Sequence, residues 1–292
     1  MKNSRKFLDL SVRKFLLGTG LLNIVIIFTM FLFIFLNGMK FFGHSSVKDF
    51  VFGTKWISLS GFYGLVPLLV GSFWVTIIAI IIAVPLGILT AVYIFEYAPL
   101  KVKNAMKILI EVMSAIPSVV LGFIGLYVLS GPIKDLFGLN SGLTAFTGSI
   151  MLAFMALPTI VTMTEDALNA LDPSYKEAAL ALGSTKVETI FNVLLPAAFP
   201  GIFAGIMLGF GRIIGETLTV LMVTGNAPIL AKSPLSPVRT MTATIAAEMG
   251  EVVQGSDHYF ALFAIGIVLF IISFITNTVA DYYVTKARKL RN

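Results

Sequence analysis

Six stretches of this chain are too long and too apolar to sit in water, and that fact dictates the fold before any motif is read. The clearest is residues 15–39, which carry no charged side chain. A helix crosses the hydrocarbon of a bilayer with about 20 apolar residues. Five more candidates run from about Val66, from Ile108 to Leu129, from Thr144 to Thr164, from Pro200 to Thr224 and from Tyr259 to Tyr282. The uncharged run 56–95 is too long for one span, and Gly61, Gly64 and Pro67 place an interfacial stretch ahead of a helix starting near Val66. Charged residues make up 12% of the chain, against about one quarter in a soluble domain, and mean hydropathy is +0.94. The fold class expected is an all-α integral membrane protein with six transmembrane helices. The first run follows a basic tail, as a signal peptide would. It is too long for one and has no small-residue cleavage site, so it reads as a retained helix.

Lysine and arginine in short loops set orientation. One side carries Lys2, Arg5, Lys6, Arg13, Lys14, Lys101, Lys103, Lys107, Lys176, Lys186, Lys286, Arg288, Lys289 and Arg291. The other carries Lys40, Lys48, Lys55, Lys134, Lys232 and Arg239. Both termini are therefore expected in the cytoplasm. The net charge of +6 reflects topology and anionic lipid, not a nucleic-acid partner. The absence of cysteine excludes disulfides, thiolate zinc sites and a Cys nucleophile. His44 and His258 lie far apart and near no HExxH pattern, so no metal site is expected. No GxxxxGK[ST] loop is present, and no extramembrane segment is long enough for a soluble catalytic domain. The largest external stretches, about 37–65 and 225–258, can make caps or short helices, and Glu248, Glu251 and Asp257 read there as a solvated cap. Glu111 is placed near the cytoplasmic interface, and Glu165 with Asp166 at the start of a cytoplasmic loop. Pro117 in "SAIPSVV" is a candidate for opening backbone groups to a cavity.

The most informative polar segment is "LDPSYKEAALALGSTKVETIFNVLLPAA", residues 171–198. Asp172 suits an N-cap and Pro173 the first helical position. Glu177, Ala178, Ala179, Leu180 and Ala181 are strong helix formers. Gly183 can end that helix in the left-handed region, Ser184 can cap the next with Glu188 in its first turns, and Pro196 marks re-entry into the membrane. Two short helices about a glycine make either a docking elbow or a solvated loop.

Glu177-Ala178-Ala179, Gly183 and Val193-Leu194-Leu195-Pro196 together resemble the EAA loop of ABC-importer permeases, with Val193 where that pattern has Ile. The resemblance implies that Glu177, Ala178, Ala179, Gly183, Leu195 and Pro196 couple to an ATPase. "AIPSVVLGFIGLYVL" (115–129), "GRIIGETLTVLMVTGNAP" (211–228) and residues 248–277 are similar to the PstC-type permeases of phosphate-specific importers. The resemblance covers nearly all the chain beyond Val66. It implies a division into residues 1–65 (tail, first helix and external loop), a core permease domain 66–284 holding the elbow 171–198, and a basic tail 285–292. It also implies a second permease of the PstA type, two ATPase subunits, an external phosphate-binding protein, and a multi-pass location in a bacterial or archaeal plasma membrane. ATP and magnesium would sit on the partner ATPase, with no cofactor on this chain. The chain would be a transporter subunit and not an enzyme.

Arg212 and Glu216 are the anomaly of the fifth span. An arginine at mid-membrane costs about 2.5–3.5 kcal/mol on insertion scales and needs a partner or a wet cavity. In a continuous helix the two lie four apart on one face and can pair. The stripe also holds Gly205, Gly209 and Thr219, and Gly201, Gly205 and Gly209 form a ladder that admits a close neighbour. One reading is a structural ion pair. The other is that Arg212 lines the path of an anion, with Glu216 orienting it. A guanidinium matches phosphate oxygens with forked hydrogen bonds and keeps its charge at any working pH. The resemblance to phosphate permeases implies Arg212, Glu216 and Thr219 as the substrate pathway. Rival functions are a permease for sulfate, molybdate or phosphonate, an ion-coupled carrier or channel, and a scaffold signalling phosphate supply.

Overall fold

The computed structural model describes residues 2–289, with side-chain surroundings for 12–283 and 285. The terminal residues Lys2, Arg5, Lys6, Lys286, Arg288, Lys289 and Arg291, used in the orientation argument, lie outside the described side chains. In chain order the elements are α1 (Lys2–His44), α2 (Val47–Phe52), β1 (Trp56–Ile57), β2 (Phe62–Tyr63), α3 (Val66–Val92), α4 (Leu100–Ala115), α5 (Ser118–Ile124), α6 (Ser130–Phe137) and α7 (Ala145–Asn169). They continue with α8 (Ser174–Ala181), α9 (Lys186–Thr189), α10 (Leu195–Ile214), α11 (Leu218–Val223), α12 (Met241–Glu248) and α13 (Asp257–Lys289). The only sheet among the described residues is the antiparallel pair β1 and β2, Trp56 facing Tyr63.

Among the described residues, six helical stretches are long and apolar enough to cross a membrane: Val12–His44, Val66–Tyr97, Ser118–Phe137, Ala145–Asn169, Lys186–Ile214 and Asp257–Tyr283. Four fall where expected. The third and fifth are displaced, and prolines explain both. Pro117 forces Ile116 into extended backbone, with φ −66° and ψ 124°, so α4 ends there and the span begins after the proline, not at Ile108. In the fifth, Pro196 does not restart the helix. Residues 190–194 form a wide five-residue turn in which Leu195 N–H reaches back to the Ile190 carbonyl. Such a turn moves aside the carbonyl that a proline ring strikes four residues earlier. The helix therefore runs unbroken from Lys186 to Ile214. Similar wide turns, Tyr93–Tyr97 and Gly125–Leu129, precede Pro99 and Pro132.

Helix α7 is the hub. It packs against α3 on one side and α10 on the other. Glycines allow the close approach: a side chain on Gly87 would strike Ile160, and one on Gly201, Gly205 or Gly209 would strike Ala167, Met163 or Ile160. The small-residue ladder expected on the fifth span therefore faces α7. Helix α1 lies along α13 at the periphery.

The two ends of this bundle carry separate cores. At one, the cap end, Phe41, Phe50, Trp56, Leu65 and Leu68 pack with Met241, Leu262 and Ile265. The hairpin and α2 thus join α1, α3, α12 and α13. At the other, the elbow end, Val92, Leu168, Leu171, Ile190, Leu194 and Ala198 gather the last turns of α3 and α7 around α9 and the start of α10.

Candidate functional site

Arg212 sits in the last turn of α10 and is half-buried. Its Nη1 lies 3.5 Å from the Thr159 hydroxyl on α7. Among the described residues it makes no ion pair. The expected pair with Glu216 does not form, because the helix stops between them. Gly215, a poor helix former, closes α10. Glu216 Oε1 then accepts the Thr219 backbone N–H at 3.1 Å, which satisfies one of the free donors that open α11. The segment Gly215-Glu216-Thr217 breaks the helix, so the i, i+4 spacing of the two charges does not place them on one helical face.

Glu216 is buried, 9% exposed, and pinned from several sides. The Thr242 hydroxyl donates to its carbonyl at 2.7 Å. Thr219 is fully buried, and its hydroxyl donates at 3.0 Å to the Ser118 carbonyl, in the first turn after the Pro117 break. That contact ties α11 to the first turn of α5. Beside Glu216, Ser72, Thr76, Thr240 and Thr242 enclose a cavity of about 10 Å³, room for no more than one water. Ser72 Oγ also accepts the Met241 N–H at 3.0 Å, tying α3 to α12. The carboxylate is thus closed toward the cap end in this conformation, while Arg212 stands on the other side of the break with one weak contact.

At the elbow, α8 starts at Ser174 with Pro173 as its N-cap, one residue later than expected, and the Asp172 carboxylate accepts the Ser174 N–H at 2.9 Å. Gly183 has φ +87° and turns the chain. The next cap is Thr185, not Ser184. Thr185 and Glu188 form a reciprocal capping box, and the helix it opens is the fifth span itself rather than a second short helix. Glu177 and Ala178 are exposed, Ala179 is buried, Gly183 and Pro196 are exposed, and Leu195 is half-buried. Leu182, Val187 and Phe191 stand in the open beside them.

Four carboxylates have long-range partners that sequence spacing does not reveal. Glu165 lies inside α7, buried, and not in a loop. It pairs with Lys107 at 2.9 Å and Lys103 at 3.3 Å, both on α4. Glu96 meets Lys176 of α8 at 2.6 Å. Glu248 is not a solvated cap residue: it holds Arg239 at 2.5 Å, His258 at 2.7 Å and the Trp56 indole at 3.1 Å. Next to it, Tyr63 stacks on His258, and burial, with Asp257 and Glu248 nearby, pushes its hydroxyl pKa up. His44 pairs with Asp257 at 2.8 Å. The signal that could have found these is their composition: isolated acids at the ends of apolar runs, each short of a neighbour of opposite charge.

Set against known proteins, residues 83–289 match the family described as binding-protein-dependent transport system inner membrane component. The chain belongs to that family. As a permease of this kind it is 42% identical over 213 residues, 73% of this chain and 69% of the other, to a probable ABC transporter permease protein, YqgH, of Bacillus subtilis. It is 33% identical to the phosphate transport system permease protein PstC of Mesorhizobium japonicum, covering 80% and 77% of the two chains. A probable phosphate transport system permease protein PstC of the archaeon Methanocaldococcus jannaschii is 30% identical over 78% and 77%. In solved structures the permease fold recurs in a bacterial ABC transporter involved in import of alginate, with TM-score 0.61, 15% identity and coverage of 96% and 97%. The MetNI methionine ABC transporter in an inward-facing conformation gives TM-score 0.58, 18% identity and coverage of 76% and 96%.

Proposed function

We propose that this permease is one of two membrane subunits of an ATP-driven importer of inorganic phosphate. The observation that carries the reading is Arg212: a guanidinium within a membrane helix, without an ion-pair partner among the described residues, on a face that also holds the Thr159 hydroxyl. A fixed cation without a carboxylate is suited to receive an anion in passing. The relatives named phosphate permeases support the choice of anion. Glu216 and Thr219 serve the path indirectly. Glu216 accepts the Thr219 N–H in the first turn of α11, and the Thr219 hydroxyl ties that helix to Ser118, so the two hold the break that follows Arg212.

Both termini and the elbow lie in the cytoplasm. The partners are a second, PstA-type permease, two ATPase subunits that bind ATP and magnesium, and an external phosphate-binding protein. Closure of the ATPases moves residues Glu177 to Pro196, and that motion rocks the spans so that Arg212 faces outward and then inward. The chain makes and breaks no bonds in substrate or nucleotide.

The test is uptake of radiolabelled phosphate into proteoliposomes holding the whole assembly, ATP inside and binding protein outside. With Arg212→Gln, uptake is expected to fall at least about a hundredfold while the assembly still hydrolyses ATP. Uptake that survives the substitution places the anion site elsewhere. Wild-type transport of sulfate or molybdate without phosphate keeps the permease and overturns its substrate.

A further inference from the structure

The body of the protein meets α8 through one ion pair that the EAA pattern does not contain. Lys176 precedes Glu177, and its Nζ lies 2.8 and 2.6 Å from the two carboxylate oxygens of Glu96. The Glu96 side chain is 5% exposed, and that of Lys176 is 39% exposed. Glu96 sits in the wide turn Tyr93–Tyr97 that ends α3. A carboxylate there faces the negative end of the helix dipole. It is also nearly removed from water, so its charge needs a cation from outside α3. Among the described residues, Lys176 is its ion-pair partner and no second one is present.

Little else fastens α8 to α3. Its only buried residue is Ala179, and its principal neighbours are α9 and the wide turn 190–194 of its own segment. Of the two covalent routes from α8 into the membrane, one runs through residues 170–173 into α7 and the other passes through that turn, which lacks the regular ladder of an α-helix; neither leads to α3. The route through Glu96 enters α3, a helix of 27 residues. At its far end Ser72 and Thr76 wall the cavity beside Glu216.

We propose that Lys176 and Glu96 form a strut that passes the motion of the elbow to α3, and so to the walls around Glu216. Lys176 and Glu96 are positioning residues for transport. The proposal rests on the reading of the elbow as the ATPase contact.

The experiment measures phosphate taken up per ATP hydrolysed in proteoliposomes with the complete assembly. Lys176→Met and Glu96→Gln are expected to assemble, hydrolyse ATP near the wild-type rate and lower the ratio about tenfold, a typical size for lost coupling. Lys176→Arg should keep the ratio. The exchanged pair, Glu96→Lys with Lys176→Glu, should recover at least half of it. A wild-type ratio in either single variant overturns the strut, as does an exchanged pair that assembles and stays uncoupled. Should the exchanged pair fail to assemble, a double cysteine replacement decides, since the chain has no cysteine of its own. Cross-linked by a short bis-methanethiosulfonate, which forms a disulfide with each thiol and releases methanesulfinate, Glu96→Cys with Lys176→Cys should couple, and should uncouple on reduction; coupling unchanged by reduction overturns the proposal. A wild type that moves no phosphate refutes the substrate reading. A wild type that moves phosphate beside unaffected variants refutes the strut alone.

Discussion

The two ends of the bundle solve the problem of buried charge differently. At the cap end one carboxylate, Glu248, gathers three donors from β1, from the segment before α12 and from α13. Around it Phe41, Phe50, Trp56 and Tyr63 pack edge to face at 5.3–5.6 Å. At the elbow end two carboxylates have lysines as their charged partners, Glu96 having Lys176 and Glu165 having Lys103 and Lys107, and the Asn169 amide also donates to Glu165 at 3.3 Å. Arginine, indole and imidazole are planar and hold an acid in one geometry, whereas a lysine ammonium on a flexible stem holds it through a range. One end is braced and the other is tethered.

That contrast has measurable consequences. Glu248→Ala leaves Arg239 and the His258 and Trp56 donors without their shared acceptor. The loss is expected to be about 3 kcal/mol, read as a lower unfolding midpoint of the purified chain with faster hydrogen exchange over residues 225–256. Exchange at 174–189 should not change; an equal loss at both ends would show that they are one unit. Gly205→Val places a side chain on a Cβ only 2.7 Å from Met163 Cβ. Overpacking of α10 on α7 is expected to cost about 2 kcal/mol and to loosen both ends together, since α7 links them. Denaturant titration followed by probes at each end would reveal a one-sided effect if α7 is not the link. The smallest effect belongs to Thr185→Ala. Loss of the capping box costs about 1 kcal/mol, or about fivefold faster exchange at residues 186–189, with the cap end untouched.

Much of this was readable in advance, for reasons of scale. A run of 20 apolar residues is a property of the neighbourhood, so the number of spans and the ladder Gly201-Gly205-Gly209 survive small errors. Turn chemistry at Asp172 and Gly183 is equally local. What sequence spacing missed depends on single residues acting against their surroundings. Pro117 ends a helix where Pro196 does not, and the difference lies in a wide turn that no side chain announces. Gly215 and Glu216 stop α10, so an ion pair that i, i+4 spacing favours is absent. Glu96 and Lys176 are separated by 80 positions along the chain, and Trp56 and Glu248 by 192. Nothing in their local context ties one to the other.

The turn at residues 190–194 has a consequence for how this chain can vary. Each residue of an α-helix advances the azimuth by about 100°. A five-residue turn holds one surplus residue, so it sets the angle between the outward side chains of α9 and those of α10. Removing or adding one residue there would swing the elbow by roughly a quarter of a revolution while both flanking helices kept their hydrogen bonds. The heading of the elbow is thus written in a length rather than in the identity of any side chain. Two permeases with the same residues at Glu177, Gly183 and Pro196 could then face their neighbours along different bearings.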